Sequence, residues 1–296
     1  MLRFPRPLRI PALIGVLMVS AALLLYAVRV TAAATVIPGK TKSEDTPTNI
    51  LLIGQDSREG ETTARADTIL LCSFYADNRK VLMTSFLRDL YVPIPGQMSN
   101  RLNAAYAHGG MSLLRQTLQE NFGISIDGCV EVDFSHFPEV LDILGGVTID
   151  LRQDEADVIN KIIPGRLTEG KQHLSGEQAL AYTRIRNLDS DGDFSRTNRQ
   201  RKVISALLGS YKGASLFTIL SVIPEILPML STDLEQSQII STIIRLLPML
   251  SESTITSQQI PAKDKCTYST IRGMSVLTAD LEEIRSELAQ SLLSEK

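Results

Sequence analysis

Apolar and polar positions divide the chain before any residue is singled out. From Ile10 to Val28 no side chain carries a charge. As a helix rising about 1.5 Å per residue, that run would be about 28 Å long, close to the hydrocarbon thickness of a bilayer. Arg3, Arg6 and Arg9 precede it and Arg29 closes it. The positive-inside bias predicts a cytoplasmic N-terminus over 1–9, a transmembrane helix over 10–31 and an exported remainder. Ala32, Ala33 and Ala34 would also suit a signal peptidase, but the run exceeds the ~7–15 residues of a signal-peptide core, which favours a retained anchor. Pro, Gly, Lys, Ser and Thr then become frequent, so 32–47 reads as a short tether and 48–296 as one extracytoplasmic domain.

Within that domain, Asn49 to Gly54, Thr68 to Tyr75 and Lys80 to Phe86 are short apolar runs that predict strands. The last two form a hairpin across Asp77-Asn78-Arg79. A helix is expected from about Met111 to Asn121, ended by Gly123, then a strand near Cys129 to Phe134 and a helix from about Ser135 to Leu144 ended by Gly145-Gly146. Val147 to Leu151 alternates as a further strand. Ser175 with Gln178 three residues on makes a capping box, so a helix begins there. Strands interleaved with helices predict an α/β fold, a central mixed β-sheet covered by helices on both faces. The last third reads as apolar and helical, with the near repeat Ile226 to Ser231 and Leu246 to Ser251. Amphipathic helices closing the core are the simpler reading there and a lipid-contacting surface the other. A final helix is expected from about Thr278 to Ser294.

Charge changes the picture only once it is divided. The 296 residues carry a formal charge of −3, but the four N-terminal arginines are the only charges in the first 29 residues. Setting them aside leaves 26 basic and 33 acidic residues, about −7 for the exported part. An acidic body without a long Lys/Arg tract argues against nucleic acid as a partner. The three cysteines allow at most one internal bridge. Cys72 and Cys129 are the pair in strand-like runs, with buried free thiols the simpler alternative. His108, His136 and His173 are widely spaced, without zinc-ligand spacing.

Candidate chemistry gathers in three places. Asp56 follows the first strand, and Asp67 opens the second eleven residues later. Such a pair suits a hard divalent cation such as Mg²⁺, although on spacing alone turn-capping aspartates are the simpler account. Ser85-Phe86-Leu87-Arg88-Asp89 ends a strand in an arginine and an aspartate. The third cluster is Tyr182-Thr183-Arg184-Ile185-Arg186 with the segment from Asp193 to Arg201, in which Asp193, Arg196 and Gln200 share one helical face. Arg184 and Arg186 share a side if the chain has left the helix by then, as the turn formers from Asn187 to Gly192 suggest. Arginines converging with a few aspartates suit a pyrophosphate, whose oxygens guanidinium forks bind in pairs. A solvated helix face remains the alternative.

Taken in order, these segments, together with Asn103-Ala104-Ala105-Tyr106, Gly109-Gly110, Leu144-Gly145-Gly146-Val147 and Leu174-Ser175-Gly176-Glu177-Gln178-Ala179-Leu180, resemble the LytR-CpsA-Psr family of cell-wall phosphotransferases. The resemblance runs from about Asn49 to Gly213 and more weakly beyond. It implies transfer of an anionic glycopolymer, such as a teichoic acid or capsule, from a polyprenyl-pyrophosphate carrier to a peptidoglycan hydroxyl at the cell membrane, leaving a phosphodiester. By that resemblance Asp56 and Asp67 are the Mg²⁺-associated carboxylates. Arg58, Arg88, Arg184, Arg186, Arg196 and Gln200 hold the pyrophosphate, and Asp67, Arg88 and Asp193 carry catalysis, with Asp67 or Asp193 as base. A non-catalytic lipid-pyrophosphate binding module and a polyprenyl-pyrophosphate hydrolase are the rival readings. The carrier would need an apolar tunnel between sheet and helices.

The topology is directly testable. A periplasm-type or cell-surface reporter fused after Lys296 is expected to be active, and activity of a cytoplasm-only reporter at that position would overturn the orientation.

Overall fold

The structure, a computed structural model, describes residues 46–56 and 65–294. The run Ile10 to Val28, most of the tether and Arg58 lie outside those residues. Among the described residues, no helix is long and apolar enough to cross a membrane.

Three strands, β1 (Thr48–Asp56), β2 (Arg65–Tyr75) and β3 (Lys80–Phe86), form an antiparallel meander as the apolar runs predict. A short ribbon of β4 (Tyr91–Val92) and β5 (Asn100–Arg101) leads into α1 (Leu102–Phe122). That helix is broken at Gly109 and at Gly110, whose φ of 61° favours glycine, so the predicted helix at Met111 is its second half. Gly123 caps it in the left-handed region. Next come β6 (Gly128–Asp133), parallel to β1, and α2 (Phe137–Ile143). A side module follows, built of β7 (Val147–Leu151), α3 (Gln153–Ile162), β8 (Gly170–Leu174) and α4 (Gly176–Thr183). β7 pairs with β8 rather than joining the main sheet. Ser175 caps α4 and its partner Gln178 completes the expected box.

The chain continues through α5 (Asp193–Ser210), α6 (Leu216–Ile226), β9 (Leu230–Thr232), α7 (Gln236–Leu250), β10 (Thr254–Ile260), β11 (Cys266–Ile271), β12 (Met274–Ala279) and α8 (Leu281–Ser294). The last third is therefore less helical than its composition predicts. β10 is the clearest miss, a Thr/Ser/Gln-rich edge strand that pairs in parallel with β3. An edge strand makes half as many ladder contacts as a central one and does not need an apolar sequence. Thr278 ends in β12 and not in the final helix, which starts at Leu281.

The six-stranded sheet has the order β10-β3-β2-β1-β6-β9 and mixes parallel with antiparallel pairs. Its two faces are buried against different helices. Leu51, Ile53, Ile69 and Leu71 pack with Leu114, Leu118 and Phe122 of α1 and with Ile284 and Leu288 of α8. On the other face, Leu70, Cys72, Phe74 and Met83 pack with Ile204 and Leu208 of α5 and with Leu246 and Met249 of α7. This separation explains the cysteines: Cys72 and Cys129 are both buried free thiols, and they belong to opposite faces of the sheet with β1 between their strands. The two members of the near repeat also part company. Leu246 to Ser251 ends α7 and puts Leu246 and Met249 into the core, whereas Ile226 to Ser231 runs from the end of α6 into β9 with no buried residue, and α6 leaves Phe217 75% exposed.

Gly176 shows how closely the side module docks. A Cβ there would lie 1.9 Å from the carbonyl oxygen of Pro138 at the start of α2, a collision with backbone that cannot turn aside. Gly176→Ala is expected to destabilise the protein by about 2 kcal/mol or more. Gly209→Ala, on α5 with open space around it, should be neutral or stabilising by up to about 1 kcal/mol. Urea denaturation of both variants measures the contrast, and equal midpoints would refute the close-docking account.

Candidate functional site

The ends of β1, β3 and β6 and the start of β2 meet at one edge of the sheet, and there the sequence-predicted residues converge. Asp56 ends β1. Asp67 owes its position to a β-bulge: Gly54 pairs with Thr68 and Gln55 with Ala66, so Asp67 is the extra residue left without a partner. The bulge puts Ala66 into the core with Ile69 and Leu71 and leaves Asp67 free to face the opposite side, toward α5. Arg88 follows the end of β3. Thr183 ends α4, so Arg184 and Arg186 have left the helix and share a side as expected. Asp193 opens α5, with Arg196 and Gln200 on the face predicted for them.

Asp56, Asp67, Arg184, Arg186, Arg196 and Gln200, with Phe134 and Thr183, line a cavity of about 410 Å³. Arg88 stands behind Asp67: its Nη1 donates to Asp67 Oδ1 at 2.5 Å. Arg186 Nη2 and Arg196 Nη1 each lie 3.9 Å from the other carboxylate oxygen of Asp67. Asp193 lies between Arg88 Nε, 3.4 Å away, and Arg196 Nε, 3.5 Å away. Arg184 Nη2 donates to Asp56 Oδ1 at 3.3 Å, and its guanidinium lies 5.1 Å from the centre of the Phe134 ring. Gly54 is required beneath that ring, because a Cβ there would come within 2.9 Å of Phe134.

Burial and charge set the protonation of the site. Burial alone would lower the Arg88 pKa, but Asp67, Asp193 and Asp89 outweigh it and the value rises. For Arg196, 2% exposed, burial and then the neighbouring Arg88 charge pull the pKa down to about 10, so it is still a cation at neutral pH. Its Nη2 has no hydrogen-bond partner. A buried cation with an unpaired donor is suited to an incoming oxyanion. Burial would raise the Asp193 carboxyl, but Arg196, Arg88 and Arg186 together hold it below the usual carboxylate range. Asp89 moves the other way, raised by burial and then by Asp193, against Arg88. Asp89 adjoins Arg88 in the sequence, but its contact with Asp193 arises only when the end of β3 meets the start of α5.

Two carboxylates on one cavity wall, with only oxygen donors, fit a Mg²⁺ ion, which keeps several positions for water or phosphate oxygens. Among the described residues, no group of three or more His, Cys, Asp or Glu could hold a metal by itself. Any cation here would therefore share its coordination with a ligand.

The basic count in the sequence overstated the pocket. Arg199, although adjacent to Gln200, turns into the side module. Its Nε donates to Glu155 Oε1 at 2.8 Å, its Nη1 to the Ile185 carbonyl at 3.3 Å, and its Nη2 to Asp189. Arg152 Nη1 donates to the other oxygen of Asp189 at 2.9 Å. This clamp, buried at Arg199 and Glu155, fixes the loop that carries Arg184 and Arg186 and leads into Asp193. Arg201 lines a different cavity.

Behind the polar cavity, and sharing Phe134, Thr183 and Gln200 with it, lies an apolar cavity of about 210 Å³ between the sheet and α2, α5 and α6. Leu52, Leu70, Val132, Leu141 and Ile204 are among its walls. A second apolar cavity of about 190 Å³ shares Val130, Ile226 and Leu230 with the first and is lined also by residues of α6 and α7. Both cavities are walled almost entirely by apolar side chains.

The LytR_cpsA_psr family model matches residues 27–290. Polyisoprenyl-teichoic acid–peptidoglycan teichoic acid transferase TagU of Oceanobacillus iheyensis is 33% identical over 246 residues, covering 80% of this chain and 72% of that protein. Regulatory protein MsrR of Staphylococcus aureus is 38% identical over 161 residues, 54% of this chain and 47% of MsrR. Among solved structures, TagT bound to LIIa-WTA superposes with a TM-score of 0.70 at 27% identity, covering 88% of this chain and 94% of that one. YwtF (TagT) with bound octaprenyl pyrophosphate lipid gives 0.65 at 26% identity, covering 87% and 95%.

The clamp yields two expectations. Glu155→Gln leaves a buried guanidinium short of one charge and should cost on the order of 3 kcal/mol, read by denaturant titration at neutral pH. Burial would raise the Asp189 pKa, but its hydrogen bonds to Arg199 and Arg152 outweigh that and depress it. A depressed folded value means that the stability it contributes is complete above the ordinary aspartate pKa of about 3.9 and is lost as the pH falls through the folded value. Asp189→Asn should be less stable at neutral pH, and its unfolding free energy should depend less steeply on pH below about 4. An unchanged acid limb would exclude the clamp as its source.

Proposed function

The chain belongs to the LytR-CpsA-Psr family, and from that premise we propose that it transfers an anionic glycopolymer from a polyprenyl-pyrophosphate carrier to a hydroxyl of peptidoglycan. The observation that carries this reading is the adjacency of two cavities: the one lined by arginines shares Phe134, Thr183 and Gln200 with an apolar one. A charged head attached to a long apolar tail is the ligand shape that such a junction fits.

In this reading, Arg184, Arg186 and Arg196 hold the pyrophosphate oxygens, and Gln200 orients them from the next turn of α5. Arg88, anchored on Asp67 and Asp193, adds positive potential from behind. Arg58 belongs to the same group by the family resemblance. The acceptor hydroxyl attacks the phosphorus that bears the glycopolymer. A new P–O bond forms, the bond from that phosphorus to the bridging oxygen breaks, and polyprenyl monophosphate leaves with the electron pair. The arginines stabilise the charge on the transferred and leaving oxygens. Asp193, held deprotonated by its three arginines, accepts the hydroxyl proton, and Asp89 beside it is the next stop for that proton. Asp67, which lines the cavity but would also hold the cation, is the alternative base. Asp56 and Asp67 would hold a Mg²⁺ ion, whose contribution is to offset pyrophosphate charge.

The same reading makes 10–31 a single-pass anchor with the N-terminus in the cytoplasm and 48–296 outside. Arg245 of α7 donates to Thr48 Oγ1 at 2.7 Å, where the chain enters the domain. Leu216 and Phe217 of α6 are exposed apolar side chains, which supports a membrane-facing α6.

The test combines the full chain in detergent with a lipid-linked pyrophosphate oligosaccharide, a peptidoglycan oligomer and Mg²⁺, and identifies products by mass. A phosphodiester-joined product is expected, reduced about 10²-fold or more by Arg88→Ala or Asp67→Ala and lost on chelation. Because Asp193 titrates below the usual carboxylate range, the rate should hold through neutral pH and fall only well into acid. Lipid binding without joined product would make the chain a binding module. Release of phosphorylated saccharide to water would make it a hydrolase.

A further inference from the structure

α6 has an apolar cavity on one side and solvent on the other. From Leu216 to Ile226 it holds a single charge, Glu225, yet none of its residues is buried. Ile223 and Ile226 line the second apolar cavity together with Ile239 and Ile243 of α7. In the first turn, Leu216 and Phe217 are exposed, Phe217 the most of any large apolar side chain among the described residues. A lone exposed apolar side chain is ordinary on a protein surface. α6 differs because its inner side borders a cavity instead of a core. A helix apolar around most of its circumference is ordinarily buried, in a core or in lipid.

The course of the chain identifies the medium. β1 begins at Thr48, whose Oγ1 accepts from Arg245 of α7, and Ile50, two residues on, lines the same cavity as Ile223 and Ile226. The segment that follows the apolar run Ile10 to Val28 therefore enters the domain beside α6 and α7. Ile244, next to Arg245, is an exposed apolar residue of α7. The ligand supplies a second argument. A polyprenyl tail resides in the bilayer, and a route through water would expose its whole apolar length. A cavity that receives such a tail without that exposure opens against hydrocarbon, and α6 is the helical wall of these cavities that has no buried residue.

We propose that the first turn of α6 inserts into the outer face of the cell membrane, with Phe217 at its tip, and that the polyprenyl tail passes from the bilayer into the apolar cavities between α6 and α7. This rests on the reading above for the identity of the lipid and for the anchor at 10–31, but the insertion itself requires no turnover. Glu225 limits the depth. It lies eight residues beyond Phe217, about 12 Å along the helix, and a carboxylate in hydrocarbon is costly. α6 therefore enters tilted, first turn down, with its last turn at the level of the head groups. The driving force is apolar, because the exported part is acidic and gains nothing from an anionic leaflet.

The chain contains no tryptophan, so a single introduced one reports its own surroundings. Phe217→Trp is compared with Tyr268→Trp, an exposed ring on β11. The β11–β12 hairpin docks on Leu90, just after β3, which stands four strands from the β9 that follows α6. The full chain is reconstituted into phosphatidylcholine vesicles with and without brominated acyl chains. Emission from Phe217→Trp is expected to fall at least about twofold in brominated lipid and to resist acrylamide, and that from Tyr268→Trp to do the reverse. Phe217→Glu, at an exposed position, should leave the melting temperature and the binding of octaprenyl pyrophosphate in detergent unchanged. It should slow loading with octaprenyl pyrophosphate from fused donor vesicles about tenfold, followed by native mass spectrometry, and Phe217→Leu should restore most of that rate. Acrylamide quenching of Phe217→Trp without quenching by brominated lipid would put the turn in water and overturn the proposal. Emission shielded from both quenchers and altered by dilution would assign this face to a second copy of the chain and overturn it too, as would loading of Phe217→Glu at the wild-type rate. Quenching by brominated lipid in a protein that gives no joined product would retain the insertion and reject the transfer. Joined product without that quenching would reject the insertion alone.

Discussion

Asp67 is the single group on which the arrangement of the site depends. Arg88, Arg186 and Arg196 all approach its carboxylate, and without it three cations would face one another at the end of the sheet. Its carboxylate offsets the cost of holding these cations away from water, most of all for Arg196, which is 2% exposed. Asp193 plays the same part from α5, between Arg88 and Arg196. The result is a patch held together by two acids whose outermost guanidinium donors are still free to bind an oxyanion.

The clamp at Arg199 complements this arrangement. Arg184 and Arg186 sit on a loop, where backbone freedom would ordinarily blur their aim. Glu155, Asp189 and the Ile185 carbonyl tie that loop to α5 through one buried side chain. Arg196 and Arg199, one turn apart on the same helix, thus do different things: one lines the cavity and the other fixes the loop that completes it.

Much of this was legible in the sequence where local periodicity governs. The shared face of Asp193, Arg196 and Gln200 follows from helical spacing, the start of α4 from the capping box at Ser175, and the β2–β3 hairpin from its two apolar runs. What was not legible depends on partners distant in the chain. β10 has no apolar signature because it lies at an edge and borrows its register from β3. Arg199 and Arg201 looked like part of one basic site because the sequence gives their spacing but not the acids of α3 or the amide of Gln259 that surround them. The cysteines could not be assigned to opposite faces until strand order was known.

The bulge at Asp67 makes the chemistry of the site a matter of counting. In an unbroken ladder Asp67 would stand opposite Gln55 and share its face, on the side where Tyr106 of α1 donates to the Gln55 amide. Every residue of the motif would be present, and the carboxylate would point into the wrong half of the protein. The site is therefore encoded by a reading frame of the backbone as well as by residue identity. A one-residue deletion in this segment of β2 would be a frameshift in space, leaving the composition of the motif almost intact and its meaning reversed.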